Sequence, residues 1–215
     1  MVHYLYLHGF ASGPQSYKAQ ALQARFEAVG LSLTIPDLNQ GDFATLTLSR
    51  QIQQARELIL AQPQPTVMIG SSLGGLTAAW VAEQADLQER IEKLVLLAPA
   101  FRFLAQWLPR LGKDALAEWQ RQGKTSVYHY GDQEQKDLDY GFWEDAQRYD
   151  DDALQHQTPT LICHGLHDEV IAIEASRAYA ARRPWVNLLE LDSDHTLGNV
   201  ETEIWDALRP FLLDE

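Results

Sequence analysis

The chain reads as an α/β protein built on a mostly parallel, doubly wound sheet of about six strands. Two observations predict this. Short β-rich runs recur along the 215 residues, and most are unbroken apolar rather than alternating, as in strands buried on both faces. Stretches with helical periodicity lie between them, and strand-helix alternation of this kind places ligand sites beyond the carboxyl ends of the strands.

The first run, His3 to Leu7, leads into His8-Gly9-Phe10-Ala11-Ser12-Gly13-Pro14, a loop of mostly small residues. Ala19 to Val29 carries Leu22, Phe26 and Val29 at helical spacing, and Gly30 follows as a stop signal. After a short run at Leu33 to Ile35, Leu48, Ile52, Ala55, Ile59 and Leu60 mark a second helix closed by Gln62-Pro63. Thr66 to Ile69 is the next strand, followed by Gly70-Ser71-Ser72-Leu73-Gly74-Gly75 and a helix from Leu76 to Ala85. Lys93 to Leu97 is the fourth strand, and Thr160 to Cys163 and Val186 to Leu191 complete the set. Helices over Ile173 to Ala181 and Val200 to Leu213 fill the remaining intervals.

Residues 101–157 break this rhythm, because no convincing strand stands out there. The segment is rich in aromatics, among them Phe101, Phe103, Trp107, Trp119, Tyr140, Phe142, Trp143 and Tyr149. It is too long for a simple crossover, so the expectation is a single domain over 1–215 with 101–157 as a mostly helical cap over the sheet edge. The cap serves either as a lid, with Trp107 and Trp143 as candidate substrate contacts, or as an elaborated crossover whose aromatics pack on the sheet.

Composition limits the partners. A hydrophobic share of 46% and a charged share of 22% are those of an ordinary globular protein. A formal charge of -13 argues against nucleic acid or an anionic membrane, since phosphate attracts basic patches and the chain has none. No apolar run approaches membrane-spanning length, and Met1-Val2-His3 supplies no basic region ahead of a signal-length segment, so the expected location is cytoplasmic. Cys163, the lone cysteine, has no partner for a disulfide or a thiolate zinc site and reads as a packing residue. The sequence carries no signal for an oligomeric state.

Gly70-Ser71-Ser72-Leu73-Gly74 fits Gly-x-Ser-x-Gly in one frame alone, with Ser72 at the centre. Glycines two positions either side let strand and helix backbones approach around a strained serine. Such a serine presents its hydroxyl at the top of the sheet and sets the Leu73 N–H at a helix N-terminus, where an oxyanion is favoured. By itself the pentapeptide is also compatible with a serine N-cap at an ordinary turn. It lacks the lysine of a phosphate-binding P-loop.

A serine hydroxyl needs a base, best a histidine oriented by a buried carboxylate. The loops after the two last strands supply both in order: His164-Gly165-Leu166-His167-Asp168-Glu169-Val170, then Asp192-Ser193-Asp194-His195-Thr196. Asp168, shorter in reach than Glu169, is the expected acid and His195 the expected base, with Asp194 as a neighbour able to compete for the imidazole. The loop after the first strand supplies the second oxyanion N–H, assigned to Phe10, while His8 is expected to pack beneath it as a structural residue. His164, His167 and Asp168 are an unconvincing metal cluster, lacking a further ligand at a supporting helical spacing. No metal or cofactor is implied.

These residues resemble the α/β-hydrolase serine esterases, and within them the small bacterial YqiA-type esterases. The match rests on Leu5-Tyr6-Leu7-His8-Gly9-Phe10, Ser16-x-Lys18-Ala19, Gly70-Ser71-Ser72-Leu73-Gly74-Gly75, Asp168-Glu169-Val170 and His195. Tyr140-Gly141-Phe142-Trp143 and Ser193-Asp194-His195 are also similar to the mitochondrial abhydrolase-domain acyl-thioesterases. The resemblance implies Ser72 as nucleophile, His195 as base, Asp168 as acid, and Phe10 and Leu73 as oxyanion donors. The expected activity is carboxylesterase or thioesterase hydrolysis (EC 3.1) of a small-molecule substrate with an apolar acyl group, through an acyl-enzyme. Two alternatives stand beside it: the same triad used as a lactonase, peptidase, lyase or acyltransferase, and a ligand-binding module with vestigial turnover.

Overall fold

The structure, a computed structural model, describes residues 2–213. Met1, Asp214 and Glu215 of the expected 1–215 domain lie outside the described residues. Among the described residues eight strands and eight α-helices follow one another: β1 His3–Leu7, α1 Tyr17–Ala28, β2 Leu33–Thr34, α2 Leu48–Leu60, β3 Thr66–Ser71, α3 Leu73–Ala82, β4 Ile91–Leu97, α4 Phe103–Leu111, α5 Lys113–Gln122, β5 Lys124–His129, β6 Glu134–Asp139, α6 Gly141–Ala146, β7 Thr160–Gly165, α7 Glu174–Ala180, β8 Val186–Leu191 and α8 Glu201–Leu213. A 3-10 turn at Asp151–Ala153 lies between α6 and β7. Six strands form one sheet in the order β2-β1-β3-β4-β7-β8, every pair parallel.

Alternation along each central strand builds a core on both faces. In β1, Leu5 and Leu7 join Met68, Leu94, Leu96 and Ile162 beneath α2 and α3, while Tyr4 and Tyr6 join Val67, Ile69, Val95 and Cys163 on the other face. That second face is covered by Ala19, Leu22 and Phe26 of α1 and by Ile204, Leu208 and Leu212 of α8. Both layers being apolar is why these strands read as continuous hydrophobic runs. Cys163 is fully buried, and burial raises its thiol pKa to about 12, as fits a packing residue.

The segment 101–157 corrects the expectation of a strandless insertion. Between α5 and α6 it folds an antiparallel hairpin, β5 with β6, apart from the main sheet. Its strands, Lys124-Thr-Ser-Val-Tyr-His129 and Glu134-Gln-Lys-Asp-Leu-Asp139, are largely exposed and polar, so they lack the apolar run that marked the others. The hairpin is anchored at its ends. Leu138 is fully buried, Trp119 Nε1 donates to the Leu138 carbonyl at 3.0 Å, and the Tyr130 N–H donates to the Ala11 carbonyl at 2.8 Å. The insertion therefore leans on the loop after β1. Among the described residues no helix is long and apolar enough to cross a membrane.

Candidate active site

Ser72 occupies the junction of β3 and α3 with φ 53° and ψ -117°, a conformation that side-chain-bearing residues avoid at about 1–3 kcal/mol. Neighbouring backbone holds it there: the Ser72 N–H donates to the Leu97 carbonyl at 2.9 Å, and its own carbonyl accepts from Ala100 N–H at 3.0 Å. The glycine frame is needed for space. A Cβ at Gly70 would lie 2.3 Å from the Gly74 carbonyl oxygen, and one at Gly74 would lie 2.1 Å from that of Leu7. Ser71 faces away and is buried, its hydroxyl bonded to Tyr6.

The loops after β7 and β8 bring Asp168 and His195 to this turn. His195 Nε2 stands 3.1 Å from Ser72 Oγ, and His195 Nδ1 stands 2.7 Å from Asp168 Oδ2. Asp168 is an acceptor only, so Nδ1 carries the proton and Nε2 is left as an acceptor for the serine hydroxyl. Asp168 Oδ1 accepts from the Val170 and Ile171 N–H groups at 2.8 and 2.7 Å. Burial opposes its charge, but hydrogen bonds from His164 and His195 outweigh that and hold the carboxyl well below the usual carboxylate range. Asp194 does not compete for the imidazole. Its Oδ1 is taken by the Thr196 N–H and hydroxyl at 2.8 and 2.6 Å.

Two side chains around this cluster were not assigned a role from sequence. His164, at the end of β7, places Nε2 3.1 Å from Asp168 Oδ2, with both side chains fully buried. Lys18 on α1 donates to the His195 carbonyl at 3.4 Å, and burial pushes its ammonium down to about 8 against the pull of Asp168 and Asp194. The Ser16-x-Lys18-Ala19 motif contained Lys18, but only the fold shows it backing the histidine loop. His167 turns outward to Asp192 at 3.0 Å, so His164, His167 and Asp168 do not converge. Among the described residues no group of three or more His, Cys, Asp or Glu is placed to hold a metal ion.

The loop after β1 runs beside the serine, and a Cβ at Gly9 would lie 3.3 Å from Ser72 Cβ. His8 is fully buried beneath this loop: its Nε2 accepts from Leu38 N–H and its Nδ1 donates to the Gly9 carbonyl, both at 2.9 Å. This pattern fits a structural ring. The Phe10 side chain packs against Phe43, Phe103, Trp107 and Phe142 with centroids 5.3–6.4 Å apart, tying the loop to the insertion. The Leu73 N–H opens α3, where the first turn lacks intrahelical acceptors.

A cavity of about 340 Å³ lies beside Leu73, walled by Leu48, Leu76, Phe103, Leu104 and Tyr149, with Arg102, Asp150, Asp151 and Asp152 at its polar side. Trp107 and Trp143, the candidates from sequence, are not in its wall. Trp143 is buried, with Trp107 and Trp119 at 6.0 and 6.4 Å, and Trp107 packs at a tilt against Phe103 at 5.0 Å.

The order of the strands, the serine turn after β3 and the two loops after β7 and β8 define an α/β-hydrolase fold, and solved structures agree. The alpha/beta hydrolase domain-containing protein 10 from mouse is 20% identical, over 99% of this chain and 89% of its own, with a TM-score of 0.79. Est1E from Butyrivibrio proteoclasticus, solved with ferulic acid bound, is 20% identical over 100% and 89% with a TM-score of 0.81. A monoacylglycerol lipase from Paleococcus ferrophilus is 16% identical over 98% and 93% with a TM-score of 0.78. A comparison with curated proteins finds no match. Residues 3–211 match the model of the Uncharacterised protein family (UPF0227), and the chain belongs to that family, the one to which the YqiA-type resemblance pointed.

Proposed function

We propose that the chain is a serine hydrolase that cleaves carboxylic esters or thioesters of apolar acyl groups through an acyl-enzyme. The observation that carries this reading is the continuous line Ser72 Oγ, His195 Nε2, His195 Nδ1, Asp168 Oδ2, with gaps of 3.1 and 2.7 Å. His195 takes the hydroxyl proton as Ser72 Oγ attacks the acyl carbonyl carbon, and Asp168 stabilises the imidazolium. The N–H groups of Phe10 and Leu73 receive the oxyanion. Collapse of the tetrahedral intermediate expels the alcohol or thiol, which takes the proton from His195. Water then attacks the acyl-enzyme with His195 again as base, releasing the acid and restoring Ser72.

The apolar wall beside Leu73 supports the cavity as the acyl site, since Leu73 also carries one oxyanion donor. Phe103, Leu104 and Tyr149 would then contact the acyl group, with Trp107 backing Phe103 and Trp143 further behind. Structures of the same fold named as a monoacylglycerol lipase and as a protein holding ferulic acid support an ester with an apolar acyl part.

The test is turnover of p-nitrophenyl butyrate together with labelling by a fluorophosphonate. Ser72→Ala is expected to abolish both, while Ser71→Ala keeps most of the activity. Undiminished turnover in the Ser72 variant would overturn the assignment.

A further inference from the structure

The carboxylate of Asp168 lies between two imidazoles, and the proposed mechanism uses only one. The second is His164, fully buried, with Nε2 3.1 Å from Asp168 Oδ2, the oxygen that His195 Nδ1 also meets, and 3.0 Å from the Ile171 carbonyl oxygen. Both of those oxygens are acceptors only, so Nε2 must carry a proton. The other nitrogen, Nδ1, lies 2.8 Å from Ser176 Oγ on α7, a hydroxyl that is itself fully buried. In a neutral ring Nδ1 is an acceptor, so the hydroxyl donates to it and polarises the N–H on the opposite side. The result mirrors the proposed triad: Ser72, His195, Asp168, then His164 and Ser176.

We propose that His164 is a positioning residue for Asp168, its Nε2–H holding the carboxylate in place and charged for His195, with Ser176 fixing the tautomer that makes this contact available. The inference rests on the proposed Ser72-His195-Asp168 mechanism. The Ile171 carbonyl is the more direct acceptor of this N–H, so the ring fastens the loop as well as the charge. Asp168 Oδ1 meanwhile bonds the Val170 and Ile171 amides of the same loop. The amides therefore hold Oδ1, while Oδ2 is shared between His164 Nε2 and His195 Nδ1.

The pH profile separates positioning from a purely structural role. The active form needs an ionised Asp168 behind a His195 whose Nε2 is free to accept the serine proton, and the 2.7 Å contact makes the pair one unit. Removing a donor from the carboxylate raises the proton affinity of that unit, whichever member holds the proton, so the acid limb of kcat/KM moves to higher pH. The other charges facing the cluster are Lys18 on α1, Asp194 beside His195, and Glu190 on β8 with its Arg177 partner on α7. None changes in the variants below, so the displacement reads the missing donor.

With p-nitrophenyl butyrate as probe, His164→Leu is expected to lower kcat at least tenfold with KM within twofold, and to shift the acid limb up by roughly one pH unit. Ser176→Ala is expected to shift it the same way by less. His164→Gln, which restores an amide donor of similar reach, is expected to bring the limb back toward its native position. Folded His164→Leu and Ser176→Ala proteins with native kcat and native acid limbs would overturn the proposal. Should His164→Leu fail to fold, Ser176→Ala decides alone: a displaced limb supports the role and an unmoved one overturns it. Loss of turnover in Ser72→Ala alongside an unmoved limb in these variants would leave the hydrolase reading standing and remove only the role of His164. Retained turnover in Ser72→Ala would remove both.

Discussion

At Gly74 the difference between glycine and alanine is a collision between main chains. An added Cβ would lie 2.1 Å from the Leu7 carbonyl oxygen and 2.6 Å from that of His8, atoms of a central strand and of the loop beside Ser72 that cannot swing aside. Gly74→Ala is therefore expected to destabilise the fold by roughly 1–3 kcal/mol and to cut turnover of p-nitrophenyl butyrate far more than its melting point alone would suggest. Thermal denaturation and kcat measured on the same preparation check this, and a variant with native values for both would show that the turn relaxes. The same contact explains why this part of the site was legible. The spacing of Gly70 and Gly74 follows from a close approach of strand and helix, and that frame puts Ser72, not Ser71, at its centre. His164 was not legible in the same way. Its partners Asp168, Ile171 and Ser176 follow at intervals of four, seven and twelve residues across a loop and into α7, a pattern with no fixed periodicity.

Elements were legible where burial shaped their composition. The strands of the main sheet are covered on both faces and stand out as apolar runs, whereas β5 and β6 form a surface hairpin whose exposed faces carry Lys124, Ser126, Glu134, Gln135 and Asp137. What such a hairpin needs from the sequence is a turn and a few buried ends, and these signals are weak beside ten aromatics. The segment leading from the insertion into β7 is held by a different device. His156 is buried, its Nε2 lies 2.9 Å from the Tyr179 hydroxyl of α7, and burial lowers its pKa to about 4 despite the attraction of Glu83. The unfolded chain, with a histidine near 6.5, binds more protons than the native state between those two values, so stability falls as pH drops from about 6.5 to about 4. The loss from this residue is expected to be on the order of 3 kcal/mol. His156→Gln should flatten that part of the stability curve in urea titrations across pH, and an unchanged slope would show that His156 accepts its proton without unfolding the contact.

Over the whole molecule the charge of -13 bears on which acyl donors reach the proposed site. The doubly wound order of the sheet gathers the loops after β1, β3, β7 and β8 at one edge, which is why the proposed acid, base and nucleophile could be read from their positions after strands. Charge was legible as a total, but its placement was not: the consecutive Asp150, Asp151 and Asp152 lie beside the cavity, and Arg102 and Arg182 both approach Asp152, at 3.6 and 3.7 Å. A neutral ester approaches this surface without electrostatic penalty, whereas an acyl donor bearing several phosphates meets repulsion that salt screens over about 10 Å at 0.1 M. With one acyl group presented on a neutral and on a polyphosphorylated leaving group, kcat/KM for the second is expected to start lower and to rise severalfold between 0.01 and 0.3 M salt, on the order set by steering fields. The neutral donor should stay level across the same range. A polyanionic donor preferred at low salt would mean that local cations on the leaving-group side override the net field, and would redirect the search for the natural substrate toward phosphate-bearing thioesters.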